Sequence, residues 1–324
     1  MVTIKHYNRS KFDEWDHFVR QSNNGTIFHL QKFLDYHPVN QFDFHHLMFY
    51  DGNKLIAVLP AAVRNDGKLL ASPIGASYGG LVLGNIKYQK NEEIIDVLLE
   101  YSARQGFQKI HLTPAPVVYH KQPIQDIDYA LTFKGFDNNL HYISHVVKHC
   151  KGDHVAEFRA TARKYIHRYQ RNPDLNVKLA NTTREFEEMY PILLENKARH
   201  NARPTHTLDE LIRIRELFPN EINLFAVRLK DKLIAASLNF SCNSQVLLCF
   251  YNMMLYEFEK LRPTYAVMHE VIQWSNAHGF QFFDIGVSQN TTSENPMTPS
   301  YLLIDFKEQF NAKGILRSTF RKNL

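Results

Sequence analysis

Two stretches of this chain echo each other at fixed positions, and that repetition constrains its architecture more than any other feature. Tyr101–Leu112 reads YSARQGFQKIHL and Trp274–Ile285 reads WSNAHGFQFFDI, displaced by 173 positions without a gap. The copies share Ser102/Ser275, Gly106/Gly279, Phe107/Phe280 and Gln108/Gln281. Lys54-Leu55-Ile56-Ala57 recurs as Lys232-Leu233-Ile234-Ala235, and the helical pattern KFDEWDHFV from Lys11 returns as REFEEMYPIL from Arg184. Three landmarks in one order imply a duplicated unit. The length of 324 residues agrees, being about twice a ~150-residue domain. The expected division is a first lobe over residues 1–150 and a second over 151–324.

Each copy carries the same element pattern. HHLMFY, then DGN, then KLIAVLPAAV is a hairpin signal, and NLFAVRLKDKLIAASLNF is its counterpart, followed by a third run, VLLCFYNMM. Helical spacing then returns from Ala266 to His278, with Gly279 placed to cap it. FQFFDIG closes the unit as a buried strand. The unit predicted is helix, antiparallel strands, helix, strand: a mixed, largely antiparallel sheet flanked by helices, not a Rossmann unit.

Composition excludes other classes. Hydrophobic residues make up 44% and charged residues 22%, which is ordinary for a folded domain. Cys150, Cys242 and Cys249 have no CxxC spacing and are too few for a disulfide framework, so a reducing cytoplasm is the expected compartment. The N-terminus lacks a signal-peptide core, and no ~18-residue apolar run predicts a membrane span.

The segment from Asp153 to Asn172 predicts a linking helix with Val155, Phe158, Ala162, Ile166 and Tyr169 on one face. Its other side is basic: Arg159, Arg163 and His167 form one row, and Lys164, Arg168 and Arg171 the next, without interleaved acids. A solvated face is one reading; a binding edge for phosphates or RNA backbone is the other.

SPIGASYGG from Ser72, FRATARKYIHRYQRN, KARHNARPTHTLDEL, FYNMM, WSNAHGFQFFDIG and FKEQFNAKG from Phe306 occur in an order that resembles the Fem-type aminoacyl and acyl transferases. That family carries tandem GNAT domains and has acetyltransferase-like bacterial relatives. The resemblance implies an α/β (α+β) chain of two tandem GNAT-like units that transfers an acyl or aminoacyl group directly to an amine. The implied acceptor is a cell-envelope precursor or related metabolite. No tightly bound cofactor is expected; the donor is a co-substrate, whether aminoacyl-tRNA, acyl-CoA or an acyl carrier protein. Peripheral membrane contact is a further expectation. Two alternatives stand beside this reading: an acyl-CoA or carrier-dependent transferase on a sugar or lipid amine, and a non-catalytic RNA- or envelope-associated protein. The loop EKLRPTYAV, where acyl-CoA-dependent members place glycines against pyrophosphate, contains none.

Candidate residues follow from this frame. Where the fourth and fifth strands of a GNAT unit part, Asp284 is the candidate base, Tyr251 the candidate donor to an oxyanion or leaving group, and Asn252 an acceptor contact. Lys307 is the candidate stabiliser of developing negative charge. Arg159, Arg163, Lys164, Arg168, Arg171 and Arg262 form the candidate donor-binding set. Tyr78 beside Gly79-Gly80, with His200, Arg203 and His206 in the loop that Thr207 ends, form the candidate acceptor set. His141, His145, His149, Cys150 and His154 superficially resemble metal ligands, but LHYISHVV reads as a strand that disperses them, and no metal is expected. Cys249 inside VLLCFY is expected to be an inert buried thiol.

Overall fold

The computed structural model describes residues 1–199, 201–290 and 293–324. The DGN sequence folds as the expected turn, with Gly52 at φ 61°, between strands whose residues are paired Met48 to Val58 and Asp51 to Lys54. In chain order the first elements are β1 (Val2–His6), α1 (Phe12–Gln21), α2 (Gln31–Leu34), β2 (Leu47–Asp51), β3 (Lys54–Leu59) and β4 (Ala62–Arg64). β5 (Leu69–Ser72), β6 (Val82–Leu83), α3 (Tyr88–Arg104), β7 (Lys109–Leu112) and α4 (Asp126–Phe133) follow. β8 (Asp137–Lys148) comes next, then α5 (His154–Glu157), α6 (Ala160–Gln170), β9 (Leu175–Leu179), α7 (Thr183–Ala198) and α8 (Leu208–Leu217). The chain ends with β10 (Ile222–Leu229), β11 (Lys232–Ser241), β12 (Val246–Met254), α9 (Pro263–Ala277), β13 (Phe282–Val287), α10 (Tyr301–Glu308) and β14 (Lys313–Asn323).

Contacts divide the chain into Met1–Tyr142 with Leu316–Leu324, and Ile143–Ile315. The first division falls inside β8, upstream of residue 150. The C-terminal residues return to the first unit because Phe320–Asn323 pair antiparallel with β7, an association that no local pattern announces.

In the first unit β1, β2, β3 and β6 are antiparallel neighbours, while β4, β5 and β7 continue through an antiparallel and then a parallel pairing. α3 presents Ile94, Ile95 and Leu98 to a core with Leu47, Phe49, Ile110 and Leu112. In the second unit the strand order is β8-β13-β12-β11-β10-β9, antiparallel except between β12 and β13. Phe158, Ile166, Val271, Ile272, Phe283 and Phe310 join its core, each contributing roughly 1.5–3 kcal/mol by leaving water.

The duplicated motif builds the same junction in both units. α3 ends with Phe107 N–H donating to Ser102 O at 3.0 Å and Gly106 at φ 81°; α9 ends with Phe280 N–H donating to Ser275 O at 3.2 Å and Gly279 at φ 82°. Glycine is needed there because the left-handed turn closes the helix and starts the strand. Both serines are fully buried, which explains why these positions match.

The linking helix forms in two pieces. Asp153 caps α5 by accepting from Val155 N–H at 2.9 Å, but Phe158 and Arg159 are extended before α6 begins. LHYISHVV lies in β8, as its β-branched content predicts. No described helix is long and apolar enough to cross a membrane.

Candidate active site

β12 and β13 are paired only from Val246 with Phe282 to Leu248 with Asp284. Beyond Leu248 they separate. A bulge places one extra residue, Phe250, between Cys249 and Tyr251 opposite β11, and Gly286 at φ 84° turns the end of β13. Parting strands leave backbone groups and side chains free to face a substrate, so the chemistry of this gap depends on what lies beneath it.

Lys307 of α10 lies there, 5% exposed. Its ammonium donates to Gly286 O at 2.7 Å, Val287 O at 2.7 Å and Ser288 Oγ at 2.9 Å. Burial pushes its pKa down to about 8, opposed by the negative charge of Asp284. Ser288 Oγ is also 2.8 Å from His145 Nδ1. Since Lys307 can only donate, the serine accepts from it and can donate to a neutral His145. Burial first, and the Lys307 cation second, hold that imidazole below its usual pKa. Asp284 is fully enclosed, accepting from Ser144 Oγ at 2.5 Å and from Gly286 N–H at 2.7 Å. These bonds tie it to the β13 turn whose carbonyls hold Lys307, and it acts on the lysine through its charge. Cys249 is buried with its thiol pushed up to about 11, the inert state expected.

Tyr251 and His206 come together at a second place. The Tyr251 hydroxyl accepts from Thr205 N–H at 3.0 Å, donates to Thr205 Oγ1 at 3.2 Å, and lies 3.1 Å from His206 Nδ1. It therefore anchors the loop before α8 rather than standing open to an oxyanion. Arg203 and His206 border a groove of about 540 Å³ with Tyr190, Leu194 and Thr205. Thr207 caps α8 through Glu210 N–H at 3.2 Å, with Glu210 bonding back to Thr207 N–H at 2.7 Å. Asn252 has a buried Oδ1 without a hydrogen-bond partner. His200 lies outside the described residues. Tyr251→Phe should loosen this loop by removing its hub, costing about 1–3 kcal/mol. Hydrogen exchange at residues 203–207 should rise several-fold while α9 is unchanged; unaltered protection would show that the hydroxyl does not hold the loop.

The basic residues separate into distinct groups. Arg159 pairs with Asp305 at 3.3 Å and with Glu308, so acids absent from its own helix reach it from α10. Arg163 donates to Ala156 O at 3.2 Å and Phe158 O at 2.9 Å, closing the turn between α5 and α6. Arg168 reaches Lys260 O at 3.3 Å. Arg262, at φ 55°, immediately precedes Pro263 at the start of α9 and lies 5.6 Å from the Tyr165 ring centroid. Tyr165 in turn contacts Tyr265, whose ring meets Phe306 beside Lys307. Arg262 is itself paired with Glu259 at 3.0 Å, so the edge that it and Arg168 form at the α9 N-terminus, an end favourable for an anion, binds one only in exchange for that pair. Lys164 and Arg171 lie on exposed positions of the same helix and its cap.

Tyr78 occupies the first unit and is 2% exposed, with its hydroxyl donating to Tyr119 Oη at 3.3 Å and Arg317 4.7 Å above its ring. A Cβ on Gly79 would collide with Ser72 Oγ and Pro73. The SYGG stretch is a packed turn, and an acceptor contact through Tyr78 has no open face there.

Sequence reasoning missed Ser144 and Ser288, and considered His145 only as a metal-ligand lookalike. Ser144 and His145 lie within a strand alternation, and Ser288 follows β13 as an ordinary loop residue. The proximity of Ser288 to FFDIG is the only sequence signal that pointed to it.

Residues 156–295 match the family model described as the acetyltransferase (GNAT) domain. The second unit therefore carries a GNAT acyltransferase domain. Over 99% of this chain and 97% of the other, the fold matches the crystal structure of FemX with TM-score 0.72 at 12% identity. It also matches L-PGS from Bacillus licheniformis (TM-score 0.62, 11% identity, 98% and 92% covered) and the tandem GNAT protein from the clavulanic acid biosynthesis pathway (0.59, 8%, 100% and 98%). No curated protein matches the sequence significantly. The whole chain thus has the fold seen in FemX and in a tandem GNAT protein, with the acetyltransferase (GNAT) domain in its second unit.

Proposed function

We propose that the protein transfers an aminoacyl or related acyl group from a large phosphate-bearing donor to an amine of a cell-envelope precursor. The observation that carries this reading is the pairing of buried Lys307 at the β12/β13 gap with a basic, glycine-free edge at the N-terminus of α9. Acyl transfer needs a cation or donor where the carbonyl oxygen gains charge. Lys307 supplies that cation at the β12/β13 gap, held in place by the Gly286 and Val287 carbonyls.

The amine nitrogen attacks the carbonyl carbon, forming the C–N bond while the ester C–O bond breaks. The leaving oxygen takes the electron pair and then the proton lost by the amine. No metal or covalent enzyme intermediate is used in this step, and the donor is the only co-substrate. Arg168 and Arg262 bind donor phosphates as charged, solvent-facing groups. The loop EKLRPTYAV has no glycine to admit a close pyrophosphate, which favours aminoacyl-tRNA over acetyl-CoA. The likeness in fold to FemX and L-PGS is in keeping with an envelope acceptor, as are Tyr301 and Leu302, exposed at the start of α10.

Replacing Arg168 and Arg262 together by Ala tests the donor. Binding of total tRNA should weaken at least tenfold, and the dependence of log affinity on log salt should flatten by about 0.7 per lost phosphate contact. Acetyl-CoA should bind neither form. Unchanged tRNA affinity and slope in the double variant would remove the donor assignment; tight, salt-insensitive acyl-CoA binding would favour the metabolite transferase instead.

A further inference from the structure

The turn joining β8 to α6 gathers three metal-type ligands that the strand alternation hides. Cys150 Sγ, one imidazole nitrogen of His154 and a Glu157 carboxylate oxygen all lie within 4.8 Å of one another. Ligands around a tetrahedral zinc ion stand roughly 3.5 Å apart, given bonds of about 2.0–2.3 Å. Rotation of the partly exposed Cys150 and exposed Glu157 side chains covers that difference. A linear reading finds no cysteine or carboxylate set to complete a site; α5 folds Glu157 back onto Cys150 and His154.

The orientation of His154 points the same way. It is 1% exposed, and its Nε2 is 3.2 Å from His149 Nδ1, while His149 Nε2 is 2.7 Å from Ser275 Oγ. Ser275 donates onward to Ile272 O at 3.1 Å. With protons running in that direction, His149 gives its Nε2–H to the serine and accepts the Nε2–H of His154. His154 Nδ1 then keeps its lone pair, 3.8 Å from Cys150 Sγ. A ligating histidine is typically held by such an outer partner. Asn276 Nδ2 donates to Cys150 O at 3.2 Å and fixes the cysteine backbone. Glu157 Oε2 accepts from Asn311 Nδ2 at 3.0 Å, leaving Oε1 available.

We propose that Cys150, His154 and Glu157 bind one zinc-type divalent ion, with water as the fourth ligand. A thiolate, an imidazole and a carboxylate suit Zn²⁺ or Co²⁺ and not the oxygen-seeking Mg²⁺ or Ca²⁺. The ion is a staple and takes no part in transfer. It lies by the N-terminal end of β13, where His149 N–H donates to Gln281 O at 2.9 Å, while Lys307 meets the carbonyls at the other end. It holds the turn from which α5 and α6 depart.

The test uses the full chain, reduced and stripped of metal with a chelator, and titrated with Co²⁺ and then Zn²⁺. The expected result is one Co²⁺ per chain, with visible bands of a tetrahedral ion and a near-ultraviolet thiolate charge-transfer band, all displaced by Zn²⁺. Cys150→Ser should erase the charge-transfer band, and Ser275→Ala should weaken affinity roughly 10–100-fold through the outer shell. Should buried His154→Gln fail to fold, Cys150→Ser at its partly exposed site still decides the matter. Absence of saturable binding, a tetrahedral spectrum without the thiolate band, or a band that persists in Cys150→Ser overturns the proposal.

Discussion

Replacing Lys307 by Met should lower the transfer rate by about 10²–10³-fold, the effect of removing one preorganised donor to a developing oxyanion. Donor affinity should change far less, because Arg168 and Arg262 are untouched; single-turnover transfer and equilibrium binding of tRNA, measured side by side, separate the two. The wild-type rate should also fall as pH rises through about 8, where the buried ammonium loses its proton. Stability should move in the opposite direction. The folded pKa is depressed below that of the unfolded chain, so between about 8 and the ordinary lysine value of 10.5 the unfolded state binds more protons. Unfolding free energy contributed by this group therefore rises with pH over that window. Loss of rate together with unchanged or rising stability would identify titration of Lys307, whereas a rate that stays level to pH 9.5, or a Lys307→Met enzyme with normal turnover, would remove the lysine from the chemistry.

Asp284→Ala should be the most destabilising single change in the second unit, by about 3–5 kcal/mol, because it leaves a buried cation without its counter-charge and strips two donors of their acceptor. Ser144 Oγ and Gly286 N–H both lose their partner, so the turn that places the β13 carbonyls loosens with it. Asp284→Asn keeps an acceptor oxygen and should cost much less. It should nonetheless shift the alkaline fall in rate to lower pH, since the Asp284 charge is what raises the lysine pKa against burial. Urea unfolding gives the first quantity and the pH–rate profile the second. An Asn variant with an unshifted profile would show that Asp284 acts by packing alone, and a mildly affected Ala variant would show that the cation is stabilised elsewhere.

The two functional patches differ in what can be learned from them. Arg168 and Arg262 face solvent, so changing them tests binding with little risk to the fold. Lys307 and Asp284 are buried together, and each prediction for them needs a stability measurement beside the activity.

The sequence by itself determined the duplicated architecture, because the helix–glycine–strand junction demands a serine, a left-handed glycine and an apolar residue at fixed spacing. It likewise determined the two main hairpins, the caps at Asp153 and Thr207 and the inert thiol of Cys249, since these rest on local turn chemistry or short-range periodicity; Lys307 and Asp284 became candidates only through the resemblance to tandem GNAT proteins. Only the tertiary structure decided which charges meet. Arg159 is neutralised by Asp305 and Glu308 from a helix remote in sequence, Tyr251 serves the loop at Thr205 and His206, Tyr78 is packed, and Ser288 with the Gly286 and Val287 carbonyls holds a lysine whose burial no linear pattern announces. The physical reason is that burial and ion pairing depend on side chains brought together from distant parts of the chain, and local periodicity carries no record of them.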